Sequence, residues 1–219
     1  KAQILENQLS GLLLKINENE VWVRLIGTFN AYNLLAIYAT AVELGMDKLE
    51  ALRLLSELES VSGRFQFIVS DTKITAIVDY AHTPDALENV LKTINDIRTN
   101  NEQLITVVGC GGDRDKTKRP IMGRELLEGS DLAIFTSDNP RSEAPETILA
   151  EMIAGLELKE NSTTLVDRRE AIAFAVTNAL AGDCVVILGK GHETGQEIAG
   201  KKFAFDDRIE LARAIEELA

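Results

Sequence analysis

From residue 74 onward, short apolar runs alternate with longer mixed segments. The runs are Ile74–Asp79, Leu104–Cys110, Leu132–Thr136, Thr163–Val166 and Cys184–Leu188. The segments between them carry helix signals. One helix begins near Pro84 behind Thr83. Another runs from Pro120 to Gly129, and a third begins at Pro145. A fourth has Asp167 as N-cap, Glu170 three residues on, and a stop at Gly182. A last helix covers Asp206 to Leu218. This alternation predicts an α/β fold: a Rossmann-like, mostly parallel sheet with helices on both faces.

The first 64 residues follow a different pattern. Leu12–Ile16 and Val21–Leu25 read as strands around a hairpin loop, Asn17-Glu18-Asn19-Glu20. Two helices follow, one from about Asn30 to Leu44 with Gly45 at its C′ position, the next capped by Asp47. This part predicts a partial α+β piece, residues 1–64, ahead of a complete α/β domain, residues 65–219. The chain opens on Lys1 rather than Met, which raises the expectation that it is part of a longer protein.

Composition narrows the function classes. A net charge of −12 argues against a broad nucleic-acid-binding face. No run of eighteen apolar residues occurs, so no membrane span or membrane partner is expected. The two cysteines, Cys110 and Cys184, lie in strand-like runs and suit a reducing, cytoplasmic setting.

Four strand ends in the second part carry unusual polar loops, and in a doubly wound sheet such ends converge on one crevice. After Phe135-Thr136 comes Asp138-Asn139-Pro140-Arg141. Its acceptor, amide and guanidinium suit a small zwitterion, and the alternative is a plain turn with an arginine salt bridge. After Cys110 comes a glycine-rich, locally basic stretch, Gly111 to Pro120. It fits a phosphate or carboxylate cradle, or else a solvated loop; it lacks the Gly-Lys-Ser/Thr ending of a Walker A loop. After Asp79 comes Tyr80-Ala81-His82-Thr83-Pro84. Here Asp79 suits ribose hydroxyls or a turn cap, and His82 a phosphate or a backbone bond. After Leu188 comes Gly189-Lys190-Gly191-His192-Glu193. Glu193 could accept an ammonium group, whereas His192 and Glu193 would need distant helpers to hold a metal. In the first part, Asn30 and Asn33 lie one helical turn apart. They suit a purine edge, with Asn30 alternatively the N-cap.

These stretches occur together, and in order, with Gly27-Thr28-Phe29-Asn30 and Ser62-Gly63-Arg64-Phe65. The set closely resembles the Mur ligases over nearly the whole chain, most of all the branch acting on diaminopimelate. The resemblance implies an ATP-dependent amide-forming ligase of peptidoglycan synthesis. It would add meso-2,6-diaminopimelate to UDP-N-acetylmuramoyl-L-alanyl-D-glutamate through an acyl phosphate. It implies ATP contacts at Asn30, Asn33, Arg64, Asp79, His82 and Thr83. It implies diaminopimelate contacts at Arg114, Asp138, Asn139, Pro140, Arg141, Gly189 and Glu193, with Arg141 marking diaminopimelate over lysine. The family's UDP-binding domain, Walker A loop and Mg²⁺ ligands have no counterpart here. The expectation is therefore that residues 1–64 are the tail of a central ATPase domain, that no metal site lies in this chain, and that the chain alone does not ligate. Two alternatives stand beside this: a sibling ligase adding lysine, and a non-catalytic amino-acid- or nucleotide-binding module, which fold alone does not exclude.

Overall fold

The computed structural model describes residues 1–68, 73–99, 101–158 and 160–218. They form two compact units, residues 1–60 with 96–98, and residues 61–95 with 99–219.

In the first unit β1 (Ala2–Gln8), β2 (Gly11–Ile16) and β3 (Asn19–Val23) make an antiparallel sheet in that order. Leu12, Leu14 and Ile16 share one face of β2 and are fully buried, as a period of two requires. They pack against Leu34 and Tyr38 of α1 (Thr28–Glu43) and Leu52 and Leu55 of α2 (Lys48–Ser56). The hairpin loop is shorter than expected. Ile16 pairs with Asn19 and Lys15 with Glu20, leaving Asn17-Glu18 as the turn. Asn17 takes a φ of 54°, a left-handed conformation that Asn tolerates. Asp47 caps α2 through the Leu49 and Glu50 N–H groups. Asn30 is not a cap. Gly27 holds that position, and the Asn30 amide donates to the Ile26 carbonyl at 2.7 Å.

The second unit is an α/β layer structure. Its strands are β4 (Gln66–Ile68), β5 (Thr75–Asp79), β6 (Leu104–Cys110), β7 (Leu132–Ser137), β8 (Ser162–Leu165) and β9 (Cys184–Leu188), in the order β4-β5-β9-β6-β7-β8. All neighbours are parallel except β4, which runs antiparallel to β5. The chain moves outward from β6 through β7 to β8, then returns to insert β9 between β5 and β6. Every residue of β6 and β9 is buried, so these strands read as apolar runs rather than alternations.

Helices cover both faces. Val107 and Ile187 face α6 (Arg168–Thr177) and α7 (Asp207–Leu218) in one cluster with Ile172 and Leu211. Cys110, of opposite parity, meets Met122 of α4 (Arg119–Gly129), with Sγ and Sδ 3.6 Å apart. α3 (Pro84–Ile97) and α5 (Pro145–Met152) complete the layers. In the second unit three strands escaped the sequence pattern: β4, and the hairpin of β10 (Gly195–Ile198) and β11 (Lys201–Ala204), whose outer strand is wholly exposed. α6 stops at Thr177 rather than Gly182: Asn178 is its C-cap, with the Asn178 N–H donating to the Phe174 carbonyl and the Ala179 N–H to the Val176 carbonyl.

Arg168 opens α6 and is fully buried. It donates to both Asp207 oxygens, at 2.7 and 2.8 Å, and to the carbonyls of Leu188 and Ser137. Removing one member of such a pair strands a buried charge. Arg168→Met should therefore cost about 3–5 kcal/mol in urea unfolding. Adding Asp207→Leu should recover most of that loss; an equal loss in single and double variants would show that the charges are not coupled.

Candidate functional site

The ends of β5, β6, β7 and β9 meet at one pocket of about 330 Å³. Each loop reaches it through side chains singled out in the sequence: His82 and Thr83, Arg114, Asp138, Asn139 and Arg141, and Glu193. The loops approach closely because glycines let them. A Cβ on Gly112 would lie 1.9 Å from the Pro140 carbonyl oxygen. Gly189, at φ 115°, would strike the Asp138 carboxylate.

Arg141 is held by the backbone. Its φ is 52°; its N–H donates to the Glu197 carbonyl at 2.9 Å, and its carbonyl accepts from Ala199 at 2.7 Å. The loop thus meets β10 at a single parallel bridge, Arg141 to Ile198. Arg141 Nη1 donates to the Gly112 carbonyl at 2.7 Å, and Nε lies 3.7 Å from the Glu197 carboxylate. Among the described residues nothing accepts from Nη2. Next to it, Asn139 Nδ2 donates to Glu193 Oε2 at 2.8 Å. Lys190 donates to both Asn139 and Glu193, and is completely buried.

Two acids of the pocket, Asp138 and Glu193, are tuned in opposite directions. Burial pushes the Asp138 carboxyl above its ordinary range, against the pull of Arg168 and Lys190. Burial also pushes on Glu193, but the Asn139 amide and the Lys190 ammonium outweigh it and hold that carboxyl below the usual value. Cys110 lies at the wall with its thiol pushed up to about 12, first by burial and then by Asp138, so it is an inert lining group.

The basic loop after β6 is less open to ligands than its charge count suggests. Arg119 is buried against Glu143 and Glu151, and Lys116 reaches Glu143 at 2.9 Å. Glu143 also accepts the Asp113 N–H at 2.7 Å. Arg114 and Lys118 remain on the pocket wall. Sequence reasoning missed Glu143, although it lies two residues past Arg141, and it missed Lys190 and Glu197.

At the β5 end, Asp79 takes the turn-capping role, accepting from the Phe65 and Ala81 N–H groups at 2.7 Å each. One lone pair on each oxygen is left over. His82 Nδ1 contacts the Tyr80 carbonyl at 2.8 Å, which in a neutral ring places the proton there and leaves Nε2 as an acceptor. The Arg64 guanidinium stacks 4.8 Å over Tyr80, whose other neighbours are His82 and His192. His192 thus turns to Tyr80 while Glu193 turns to Asn139. Among the described residues no group of three or more His, Cys, Asp or Glu is gathered to hold a metal ion. Nor, among them, is any helix long and apolar enough to cross a membrane. Asn30 and Asn33 belong to the first unit, where the Asn33 amide donates to Asn30 Oδ1 at 3.2 Å and Asn33 stays exposed.

A family model described as Mur ligase, glutamate ligase domain, matches residues 63–191. The chain belongs to the Mur ligase family. Two similar proteins are both named UDP-N-acetylmuramoyl-L-alanyl-D-glutamate–2,6-diaminopimelate ligase. The one from Cytophaga hutchinsonii is 50% identical over 220 residues, which is 100% of this chain and 45% of the relative. The one from Parabacteroides distasonis is 53% identical over 213 residues, 96% of this chain and 44% of the relative. A solved structure with that name superposes with a TM-score of 0.75 at 43% identity, covering 97% of this chain and 44% of that one. This Mur ligase chain therefore spans under half the length of the relatives it matches.

The Glu143 cluster gives a direct test of how the basic loop is held. Glu143→Gln should speed amide exchange at Asp113 by about an order of magnitude, as expected for a lost charge-assisted bond. Unchanged exchange would show that the loop is held by other contacts.

Proposed function

We propose that this chain is the amino-acid-selecting part of an ATP-dependent ligase that adds meso-2,6-diaminopimelate to UDP-N-acetylmuramoyl-L-alanyl-D-glutamate. One observation carries the reading: a single pocket sets the cations Arg114 and Arg141 beside the anions Asp138 and Glu193. Diaminopimelate has a carboxylate and an ammonium at each end, so it suits a wall that carries charges of both signs. The names of the similar proteins support the same choice.

In this reading residues 65–219 are the ligase C-terminal domain and residues 1–64 the tail of its central ATPase domain. Arg141 offers Nη2 to the distal carboxylate, Asn139 orients that end, and Glu193 takes an ammonium. Arg114, Asp138 and the Gly189 backbone complete the amino-acid site, on a loop stiffened by Pro140. Arg64, Asp79, His82 and Thr83 would serve the nucleotide from the second unit; Asn30 and Asn33, in the first unit, are the residues proposed for adenine. Asp79 would reach a ribose hydroxyl only through its remaining lone pairs. In the whole ligase, ATP with Mg²⁺ would supply phosphorylation of the D-glutamate carboxylate, and the amine would displace the phosphate to form the amide. The part played by this chain is to bind and orient that amine. The setting would be the cytoplasm, where the nucleotide substrates reside.

Lysine lacks the distal carboxylate, so it would leave Arg141 without its ligand partner. Arg141→Ala should weaken diaminopimelate binding about 10- to 100-fold in calorimetry, the range for one charge-assisted contact. Lysine binding should hardly change. Equal binding of both amino acids to the unaltered chain would overturn the choice of diaminopimelate.

A further inference from the structure

Lys190 has no part in the reading above, yet it is fully buried within the site. Its ammonium has three protons to donate, and three acceptors surround it. They are Asn139 Oδ1 at 3.0 Å, Glu193 Oε2 at 3.2 Å and the Gly195 carbonyl at 2.7 Å. The count closes, so no proton is left for a ligand. An ammonium saturated in this way is neither nucleophile nor base. Its burial is tolerated because every donor is matched and a carboxylate lies among the partners.

The two side chains it holds come from different strand ends, Asn139 after β7 and Glu193 after β9. Asn139 Oδ1 also accepts the Glu197 N–H at 3.0 Å. The amide is thereby fixed with its oxygen toward Lys190 and β10 and its nitrogen toward Glu193. Glu193 Oε2 thus receives two donors, one from Asn139 and one from Lys190. Oε1 has no protein donor among the described residues, and a third of the side chain, 33%, is exposed.

We propose that Lys190 is a positioning residue for amine recognition: together with Asn139 it ties down Oε2 of Glu193 and so presents Oε1 to the substrate ammonium. The proposal rests on the reading of this pocket as the diaminopimelate site. It makes Lys190 part of the specificity for an amine-bearing ligand without any contact to that ligand. It also gives the buried cation a chemical consequence. Burial opposes the charged form of Glu193, but the Asn139 amide, Lys190 and Arg141 favour it, as does Arg168; Asp138 opposes it. A carboxyl held below its ordinary range stays an anion, able to accept an ammonium, until the pH falls well into the acid range. Without the Lys190 charge, Glu193 should protonate at a higher pH.

The test compares the 219-residue chain with Lys190→Met and Lys190→Gln, the second retaining a hydrogen-bond donor should the first fail to fold. Calorimetry would use meso-diaminopimelate and pimelate, a dicarboxylate of the same length without amines. Both variants should lose about tenfold or more for diaminopimelate and under about twofold for pimelate, as for one misplaced charged contact. The acid limb of diaminopimelate binding should move up by about one pH unit. ¹³C NMR titration of the Glu193 carboxyl, without ligand, should show the same upward shift. Variants that weaken both ligands equally, or leave the Glu193 titration in place, would overturn the proposal and make Lys190 merely structural. An unaltered chain that binds no diaminopimelate would overturn the reading of the pocket, and the amine role with it; the carboxyl titration separates the two failures.

Discussion

The Arg168 guanidinium ties together parts of the second unit that are remote in sequence. On one side it meets the carboxylate of Asp207, which opens α7. On the other it meets the carbonyls of Ser137 and Leu188, the last residues of β7 and β9. The next residues are Asp138 and Gly189, the first of the two loops that build the acidic side of the pocket. One buried cation thus sets the starting points of both loops. It also lies close enough to oppose the rise in the Asp138 carboxyl. Burying so much charge is tolerable only while each partner is present.

From that anchor outward the site is a chain of dependencies. The return of β9 to the middle of the sheet puts its loop beside the loops of β5 and β6. Glycines at 112 and 189 let backbones meet where a Cβ would collide. The β10–β11 hairpin gives Arg141 a backbone partner and so fixes a left-handed residue that would otherwise be strained. Glu143 pairs with Lys116 and with Arg119, which also lines the pocket, while Arg114 and Lys118 stand on the pocket wall outside that cluster. The proposed selectivity for a doubly zwitterionic amino acid is thus a property of four loops acting together.

Much of this was legible in the sequence, for identifiable reasons. The parallel strands stood out because β6 and β9 are buried on both faces and tolerate only apolar residues. Helix starts at Pro84, Pro145 and Asp167 stood out because proline and aspartate solve a local problem there. β4 and the β10–β11 hairpin did not, because strands of three and four residues are too short to carry a usable period. The Asn17-Glu18 turn was overestimated because Asn19 and Glu20 are polar yet paired. The chemistry-bearing loops were recognisable from glycine, charge and position after a strand. Lys190 was not, because its burial is decided by Asn139, 51 residues away. Arg168 was missed for the same reason: its partner Asp207 lies 39 residues on.

The central claim is that the four loops form one amino-acid site with a carboxylate end at Arg141 and an ammonium end at Glu193. Mapping bound meso-diaminopimelate onto the chain by NMR tests it most directly. The expected result is saturable shifts at Arg114, Arg141, Gly189 and Glu193, with intermolecular contacts placing a carboxylate at Arg141. Saturable binding that leaves Arg141 and Glu193 unshifted would contradict it.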